Sequence, residues 1–144
     1  MAAVVYNGFM IDHSCLRVRL NGVLVEDVQE LTGLGNDMEE AIFYGNAQEP
    51  RGRTRGQVKP KEGSLKVSRA SGNAVRTLLG RGFMNKLFTL TAEYTLEGQP
   101  SVTDVYKYCR IKSDENGTSE GTEAASTTFT VSPLRSVPNG MAAV

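Results

Sequence analysis

Apolar and polar residues alternate along most of the chain, which is the period of strands with one buried face. The run CLRVRL at 15–20 places an apolar residue at every second position, with two arginines between them. Asn21-Gly22 follows, and then VLVEDVQEL at 23–31. Asn-Gly between two such runs is typical of a two-residue β-turn, since both of its central residues need positive φ. The sequence therefore predicts a β-hairpin around residues 21–22.

The same pattern predicts further strands at 39–44, 64–69, 87–96, 102–111 and 127–131. In the strand at 102–111, Val105, Cys109 and Ile111 are expected to point inward. The glycine-containing stretch TGLGN at 32–36 predicts a turn, and the polar residues that lead up to residue 125 predict a loop.

One segment, SGNAVRTLL at 71–79, has the pattern of a short amphipathic helix. Ser71 can cap its first turn, and Gly80 or Gly82 can end it. With six or seven strands and this helix, the sequence predicts a mainly β protein. The expected fold is an antiparallel β-sandwich or barrel with one short flanking α-helix and a long projecting loop.

The chain has 144 residues, which is the length of one domain. We expect a single domain with three peripheral segments: an N-terminal arm at 1–13, a long basic loop at 45–62 and a C-terminal tail at 135–144. A chain of this size buries roughly 70% of its unfolded surface, so it needs no disulfide or metal to hold a core. Cys15 and Cys109 lie in apolar-alternating runs and are expected to be buried free thiols.

No apolar run approaches the roughly 20 residues that span a bilayer. The N-terminus MAAVVYNGFM carries no basic residue ahead of its short apolar run, so no secretory signal is predicted. We therefore expect no membrane anchor and a soluble protein made in a cytoplasm.

Charge is distributed unevenly along the chain. The protein has 16 basic and 16 acidic residues and no net charge. Residues 44–69 nevertheless hold seven basic and two acidic residues, whereas residues 114–123 hold four acidic residues and no basic one. The candidate functional residues of the basic segment are Arg51, Arg53, Arg55, Lys59 and Lys61. Their partner is either a nucleic acid or an acidic surface on another copy of the chain.

No group of residues supports a named reaction. Asp12, His13 and Ser14 are adjacent, so their side chains cannot converge on one reacting centre. His13 is the only histidine and the two cysteines are far apart, which argues against a zinc site. The GLGN stretch lacks the third glycine of a dinucleotide-binding loop. We expect no enzyme, no catalytic residue, no cofactor and no metal.

The stretch RGRTRG at 51–56 is similar to arginine–glycine segments that follow a phosphate backbone. Such sites usually add aromatic residues for base stacking, and none occurs between Tyr44 and Phe83. The neutral net charge also removes the long-range field on which non-specific binding depends. A contact between subunits is favoured, and a small nucleic-acid-binding β-barrel or a solvated loop remains the alternative.

The order of these elements resembles the tail tube proteins of contractile-tailed bacteriophages. The resemblance lies in the hairpin NGVLVEDVQEL, a strand ending in AIFYG, the loop pattern P-x-G-x-T-x-G, the strand EGSLKVSR, the helix and the last strand TTFTVSPL. It covers about residues 15–134. More remotely, the chain is similar to the inner tubes of type VI secretion systems and tailocins.

The resemblance implies a structural virion protein whose hexameric rings stack into a hollow tail tube. The tube would lie inside a contractile sheath, carry the genome into the host and be assembled in the bacterial cytoplasm. Implied partners are further copies of the chain and the tail sheath, baseplate and tail terminator proteins. DNA would pass through the lumen without specific binding.

By position, residues 45–62 would be the loop with which the family reaches neighbouring subunits and rings. We expect the arginines to face those neighbours and acidic or neutral groups, with Glu93 and Asp104 as first candidates, to line the lumen. A tail terminator or a head–tail joining ring protein is the alternative within virion structure.

Overall fold

The computed structural model describes residues 10–98, 100–118, 120–122 and 124–143. Within these residues the chain forms twelve β-strands, one α-helix and three short 3-10 turns. The strands are β1 Leu16–Leu20, β2 Val23–Val25, β3 Val28–Thr32, β4 Gly35–Glu39, β5 Ile42–Phe43, β6 Gly52–Arg53, β7 Gln57–Lys61, β8 Gly63–Ser68, β9 Phe88–Tyr94, β10 Val102–Gly117, β11 Ser126–Ser132 and β12 Arg135–Val137. The helix α1 spans Arg69–Leu79, and the 3-10 turns span His13–Cys15, Phe83–Asn85 and Pro138–Gly140.

Eight of the strands form one antiparallel sheet in the order β2-β1-β9-β10-β11-β8-β3, with β12 paired to β10. The long strand β10 belongs to both halves of this sheet, because its first part pairs with β9 and β12 and its second part with β11. Buried residues from both halves form one hydrophobic cluster, so the sheet is folded about β10 with the core inside. This arrangement confirms the predicted antiparallel β-sandwich or barrel with one helix.

The predicted turn at 21–22 joins β1 to β2, and Asn21 (φ 52°) and Gly22 (φ 82°) both have the required positive φ. The run that follows is divided, however, into β2 and β3. Asp27 also has positive φ (56°), and its carboxylate accepts a hydrogen bond from the Ser68 hydroxyl at 3.1 Å. The chain thereby leaves the β1 side of the sheet and pairs with β8.

The predicted inward residues of β10 are confirmed in part. Cys109 and Ile111 are buried, but Val105 is only half-buried and Tyr106 takes the inward position. A β-bulge between Tyr106 and Cys109 holds one extra residue, and Tyr108 within it has φ of 54°. A bulge shifts the alternation by one residue, so the buried positions change from even to odd numbers along the strand.

Helix α1 begins two residues earlier than predicted. Ser68, at the end of β8, caps it by accepting a hydrogen bond from the Ser71 amide at 3.3 Å, so Ser71 is not the cap but a buried residue of the first turn. Gly80 (φ 83°) follows the last residue as expected. The helix lies very close to β11, since a Cβ at Gly72 would come within 2.6 Å of Thr127.

Two segments for which no strand is predicted contain regular structure. Residues 112–117, expected in a loop, continue β10 and pair with β11. The expected tail at 135–144 begins with β12, which pairs with β10. Most of the expected N-terminal arm, residues 1–9, lies outside the described residues. Cys15 and Cys109 are free and buried, as predicted. No helix in the described part of the chain is both long and apolar enough to cross a bilayer.

Candidate assembly surface

The basic segment forms most of a two-stranded β-hairpin that lies outside the sandwich. Strand β4 pairs with β7 from Gly35↔Lys61 to Glu39↔Gln57, and the short strands β5 and β6 extend the pair toward the tip. Residues 35–62 contribute no buried side chain. The predicted strand at 39–44 and the predicted loop at 45–62 are therefore two arms of one projecting element, which we call the assembly hairpin (residues 35–61).

Three of the five candidate residues form ion pairs with acids of the hairpin's first arm. The pairs and their N···O distances are Lys61–Asp37 at 3.4 Å, Lys59–Glu39 at 3.4 Å and Arg53–Glu40 at 3.1 Å. Opposite charges on neighbouring strands stabilise the pairing modestly, by about 0.2–1 kcal/mol for each pair. These cations are thus largely neutralised within their own hairpin.

Arg51 and Arg55 differ from the other three candidates. Both are exposed, and neither has an ion-pair partner within 4 Å among the described residues. They flank the short strand β6 at the distal end of the hairpin. Among the described residues, the structure therefore places two arginines without an ion-pair partner at the tip, together with one unpaired acid, Glu49, where the sequence indicated five basic residues along the segment.

Apolar side chains share the tip with these charges. Ile42, Phe43 and Tyr44 are all exposed, and Phe43 is the most exposed of them at 63%. Gly52 lies opposite Phe43 in the pairing and carries no side chain, so no cross-strand neighbour covers the ring. An exposed aromatic residue beside free arginines is typical of a protein-binding hot spot.

A glycine fixes the bend between the hairpin's two pairs of strands. Gly56 has φ of 78°, and a Cβ there would come within 2.5 Å of the Glu39 carbonyl oxygen. Beyond this point, Ala41 and Thr54 are joined by two hydrogen bonds of 2.8 and 2.9 Å, one of them to the threonine hydroxyl. The tip is consequently held as a defined structure.

At its base the hairpin is tied to the body by two further contacts. Lys112 of β10 pairs with Glu62 at 2.7 Å, and the Asn36 amide donates to the Ser136 carbonyl at 3.4 Å. A second exposed apolar patch lies beside this base and includes Leu87, Tyr108 and Leu134.

The acidic stretch 114–123 is less available to a neighbour than the sequence suggested. Asp114 forms an ion pair of 2.9 Å with Arg76 of α1 in the same chain. Glu115 is exposed, and Glu123 lies outside the described residues. The acid partners of three of the five candidate residues are instead in β4 and the residue after it.

The remaining chemical candidates have structural roles. Asp12 caps a 3-10 turn by accepting hydrogen bonds from Ser14, whose hydroxyl holds the pKa of that carboxyl below its usual value. The His13 ring contacts the Val28 carbonyl at 2.6 Å. Glu93 pairs with Arg19 at 3.4 Å, and Asp104 accepts from the Asn139 amide at 2.9 Å. In the described residues, no three His, Cys, Asp or Glu side chains converge as metal ligands would.

No protein-family model matches the chain, and no curated protein matches it significantly. Solved structures do match. A chain of the anti-feeding prophage tube-terminating cap is 16% identical, with 92% of each chain covered and a TM-score of 0.73. A chain of the sheath–tube complex of an extracellular contractile injection system is 11% identical, covers 92% of this chain and 93% of that one, and has a TM-score of 0.65. This chain has the tube fold of contractile injection systems.

The tube fold extends to secretion machinery. A type six secretion system protein is 13% identical, with 90% of this chain and 89% of that chain covered at a TM-score of 0.54. The remote resemblance to type VI secretion systems is thereby confirmed at the level of fold. At these identities the tube fold is shared while most side chains differ, so residue roles must come from this chain's own geometry.

Sequence reasoning missed one part of the surface. It identifies the basic residues of the hairpin but places Phe43 and Tyr44 in a separate strand at 39–44. The available signal was their position between the acids of β4 and the first glycine of the loop, where an apolar run precedes a turn.

Proposed function

We propose that this chain is a structural, non-enzymatic subunit that polymerises as stacked hexameric rings into the hollow tube of a contractile tail. The observation that carries the proposal is the tube fold, which matches nearly the full length of both this chain and its structural neighbours. In the bacteriophage case the genome would pass through the tube into the host. Partners would be further copies of the chain and the sheath, baseplate and terminator proteins.

The surface of the subunit supports this proposal. The assembly hairpin contributes nothing to the core and exposes an aromatic residue at its tip, which is difficult to explain in a protein that acts alone. Strands β2 and β3 end the sheet, and open edges are a liability unless another chain covers them. Head-to-tail contacts that close into a ring would cover both edges.

The charge distribution supports passage of DNA without specific binding. Lys59, Lys61 and Arg53 are each balanced by an acid of the same hairpin. This pairing weakens the case for a nucleic-acid-binding β-barrel, because a phosphate backbone would have to compete with neighbouring carboxylates. A DNA-binding role predicts tight, strongly salt-dependent affinity of the monomer for single-stranded DNA.

A tube terminator is the second candidate. One observation favours it: the tube-terminating cap chain superposes with a higher TM-score (0.73) than the chain from the sheath–tube complex (0.65). A terminator would share the ring but would end the tube instead of extending it.

Negative-stain electron microscopy of the concentrated, purified protein tests these candidates. We expect long hollow rods with an axial repeat of stacked rings. Single rings that do not stack would favour the terminator. A protein that stays monomeric at all concentrations and binds single-stranded DNA tightly at physiological salt would contradict both the tube and the terminator hypothesis.

A further inference from the structure

A groove with a mainly apolar lining and two acidic residues lies between helix α1 and the edge strand β2. Its volume is about 600 Å³, and its apolar lining includes the exposed side chains of Val23, Leu24 and Leu78. Glu26 and Asp27 contribute the groove's charged side chains, and no lysine or arginine of the described residues lines it. Glu26 is exposed and has no ion-pair partner within 4 Å in the same part of the chain. The groove is thus apolar with an uncompensated negative charge.

The hairpin tip has the complementary composition. Phe43 and Tyr44 supply exposed apolar surface. Among the described residues, the two unpaired arginines, Arg51 and Arg55, outnumber the one unpaired acid, Glu49, so the tip carries a net positive charge.

The other apolar patch, around Leu87, is lined by Lys112, which is paired with Glu62, and by Arg110, which has no ion-pair partner among the described residues. The unpaired charge of this patch is therefore positive and would repel the arginines. Of these two apolar surfaces, the α1–β2 groove is therefore the one that matches the tip in both polarity and charge.

The two surfaces belong to opposite ends of the same strand pair. Strands β3 and β8 pair from Val28↔Val67 at one end to Thr32↔Ser64 at the other. The assembly hairpin leaves from the Thr32 end, whereas the groove adjoins the Val28 end through Asp27. Four residues of strand separate these ends by about 13 Å. No hairpin residue lines the groove, so the chain does not fill it with its own tip.

We propose that the hairpin tip of one subunit docks in the α1–β2 groove of a second copy, with Phe43 as the apolar anchor and Arg51 and Arg55 facing Glu26. This inference rests on the proposed function and names the acceptor surface for the hairpin. A contact between two different surfaces of a subunit is heterologous, so it repeats from copy to copy. Apolar burial supplies most of the affinity, and the charges select the orientation.

Cysteine cross-linking tests the docking directly. Asn46→Cys at the tip and Thr77→Cys in the groove are both substitutions of exposed residues, and they keep Phe43 and the apolar lining intact. The native Cys15 and Cys109 are buried. Under oxidising conditions, a mixture of the two variants, with a size tag on one, should give at least ten times more disulfide-linked dimer than either variant alone. As a matched control, Asn46→Cys mixed with Leu87→Cys, which is also exposed, should give little.

A second experiment reverses the charges on the two surfaces. Glu26→Lys should lower the cross-linking yield about tenfold, and so should the double substitution Arg51→Glu with Arg55→Glu. Combining the reversed groove with the reversed tip should restore most of the yield. Glu97→Lys, at another exposed carboxylate, is the control and should leave the yield unchanged.

Electron microscopy of the same samples separates the two levels of inference. Tubes without a cross-link between Asn46→Cys and Thr77→Cys, or a stronger cross-link to Leu87→Cys, overturn the docking proposal and leave the tube function standing. Cross-linked dimers without rings or tubes support the docking and overturn the function. If neither cross-linked dimers nor tubes form, both the docking proposal and the proposed function are wrong.

Discussion

Arg76 is the side chain through which the helix is fixed to the sheet. Its guanidinium donates to Asp114 at 2.9 Å and to Asn116 at 2.8 Å. It also lies over the rings of Phe83 and Phe129, at 5.9 and 5.4 Å from their centroids. The Arg76 side chain is only 18% exposed, and these hydrogen-bonding and cation–π partners offset the loss of water around its charge.

Replacing this arginine should therefore destabilise the fold. We expect Arg76→Leu to lower the free energy of unfolding by about 2–3 kcal/mol, because Asp114 and Asn116 lose a charged donor in a partly buried site. The matched control is Arg19→Leu, which breaks the more exposed pair with Glu93 and should cost under about 1 kcal/mol. Urea denaturation of both variants measures the difference, and equal losses would contradict this role for Arg76.

Two buried titratable groups predict loss of stability at alkaline pH. Burial raises the pKa of Tyr106 to about 12 and that of the Cys109 thiol to about 11. The unfolded chain releases these protons at lower pH than the folded one, at the usual values of 10.0 and 9.0. The free energy of unfolding is thus unaffected by these groups below about pH 9 and falls between about pH 9 and pH 12.

Urea midpoints at pH 8 and pH 10.5 measure this effect. Tyr106→Phe combined with Cys109→Ala removes both titratable groups. The urea midpoint of the double variant should therefore fall less between pH 8 and pH 10.5 than that of the parent chain. An undiminished drop in that variant would mean that other groups cause the alkaline sensitivity.

At the scale of elements, the sequence predicted the features that depend only on residues close together in the chain. The Asn21-Gly22 turn and the helix around Val75 could be predicted because their signals lie within a few residues. The division of 23–31 into two strands could not, since it depends on Asp27 contacting Ser68, far along the chain. The bulge at Tyr108 likewise reversed the inward positions of β10 without a glycine to mark it.

The hairpin shows the same limit for the candidate site. The sequence identified five basic residues but not their partners, because the pairing of Asp37 with Lys61 and of Glu40 with Arg53 depends on a register set across a long connection. The number of basic residues in the sequence of this segment indicated a strongly basic arm. In the folded hairpin, three of the five candidate residues are paired with acids, and two arginines at the tip have no ion-pair partner among the described residues.

The bend at Gly56 should be sensitive to a single methyl group. Gly56→Ala forces a side chain into a positive-φ position, which costs about 1–2 kcal/mol, and places it against the Glu39 carbonyl. Since the hairpin lies outside the core, this substitution should destabilise the hairpin alone and not the sandwich. We expect faster tryptic cleavage at the tip arginines with little change in the thermal midpoint.

Gly52→Ala is the control for this substitution. A Cβ at Gly52 meets no atom within 4 Å, so tip cleavage should stay at the parental rate. If trypsin cleaves the tips of Gly56→Ala and Gly52→Ala at the same rate, the bend does not require glycine.

At the scale of the whole molecule, folding and assembly reside in different parts of the chain. The core cluster draws on β1, β2, β8, β9, β10, β11 and α1, and the hairpin supplies none of it. The molecule is therefore a self-sufficient sandwich that carries a separate element for contact with others.

Shortening the hairpin should separate these two properties. Replacing residues 41–54 by Asn-Gly should shift the thermal midpoint by no more than about 2 °C, because no buried side chain is removed. Sedimentation velocity should then find only small species at concentrations where the parent chain assembles. A poorly folded monomer would show instead that the hairpin supports the core.

The position of the hairpin and the groove on opposite ends of the β3–β8 pair has a consequence for growth. Any stack built through that contact is directional: one terminus displays hairpin tips and the other displays empty grooves. A protein that initiates the stack and a protein that ends it must therefore recognise chemically different surfaces. Elongation at the two termini can proceed at different rates. A peptide that mimics residues 41–54 would cover the groove-bearing terminus and would also fill the grooves of free subunits, so it would stop growth at both termini.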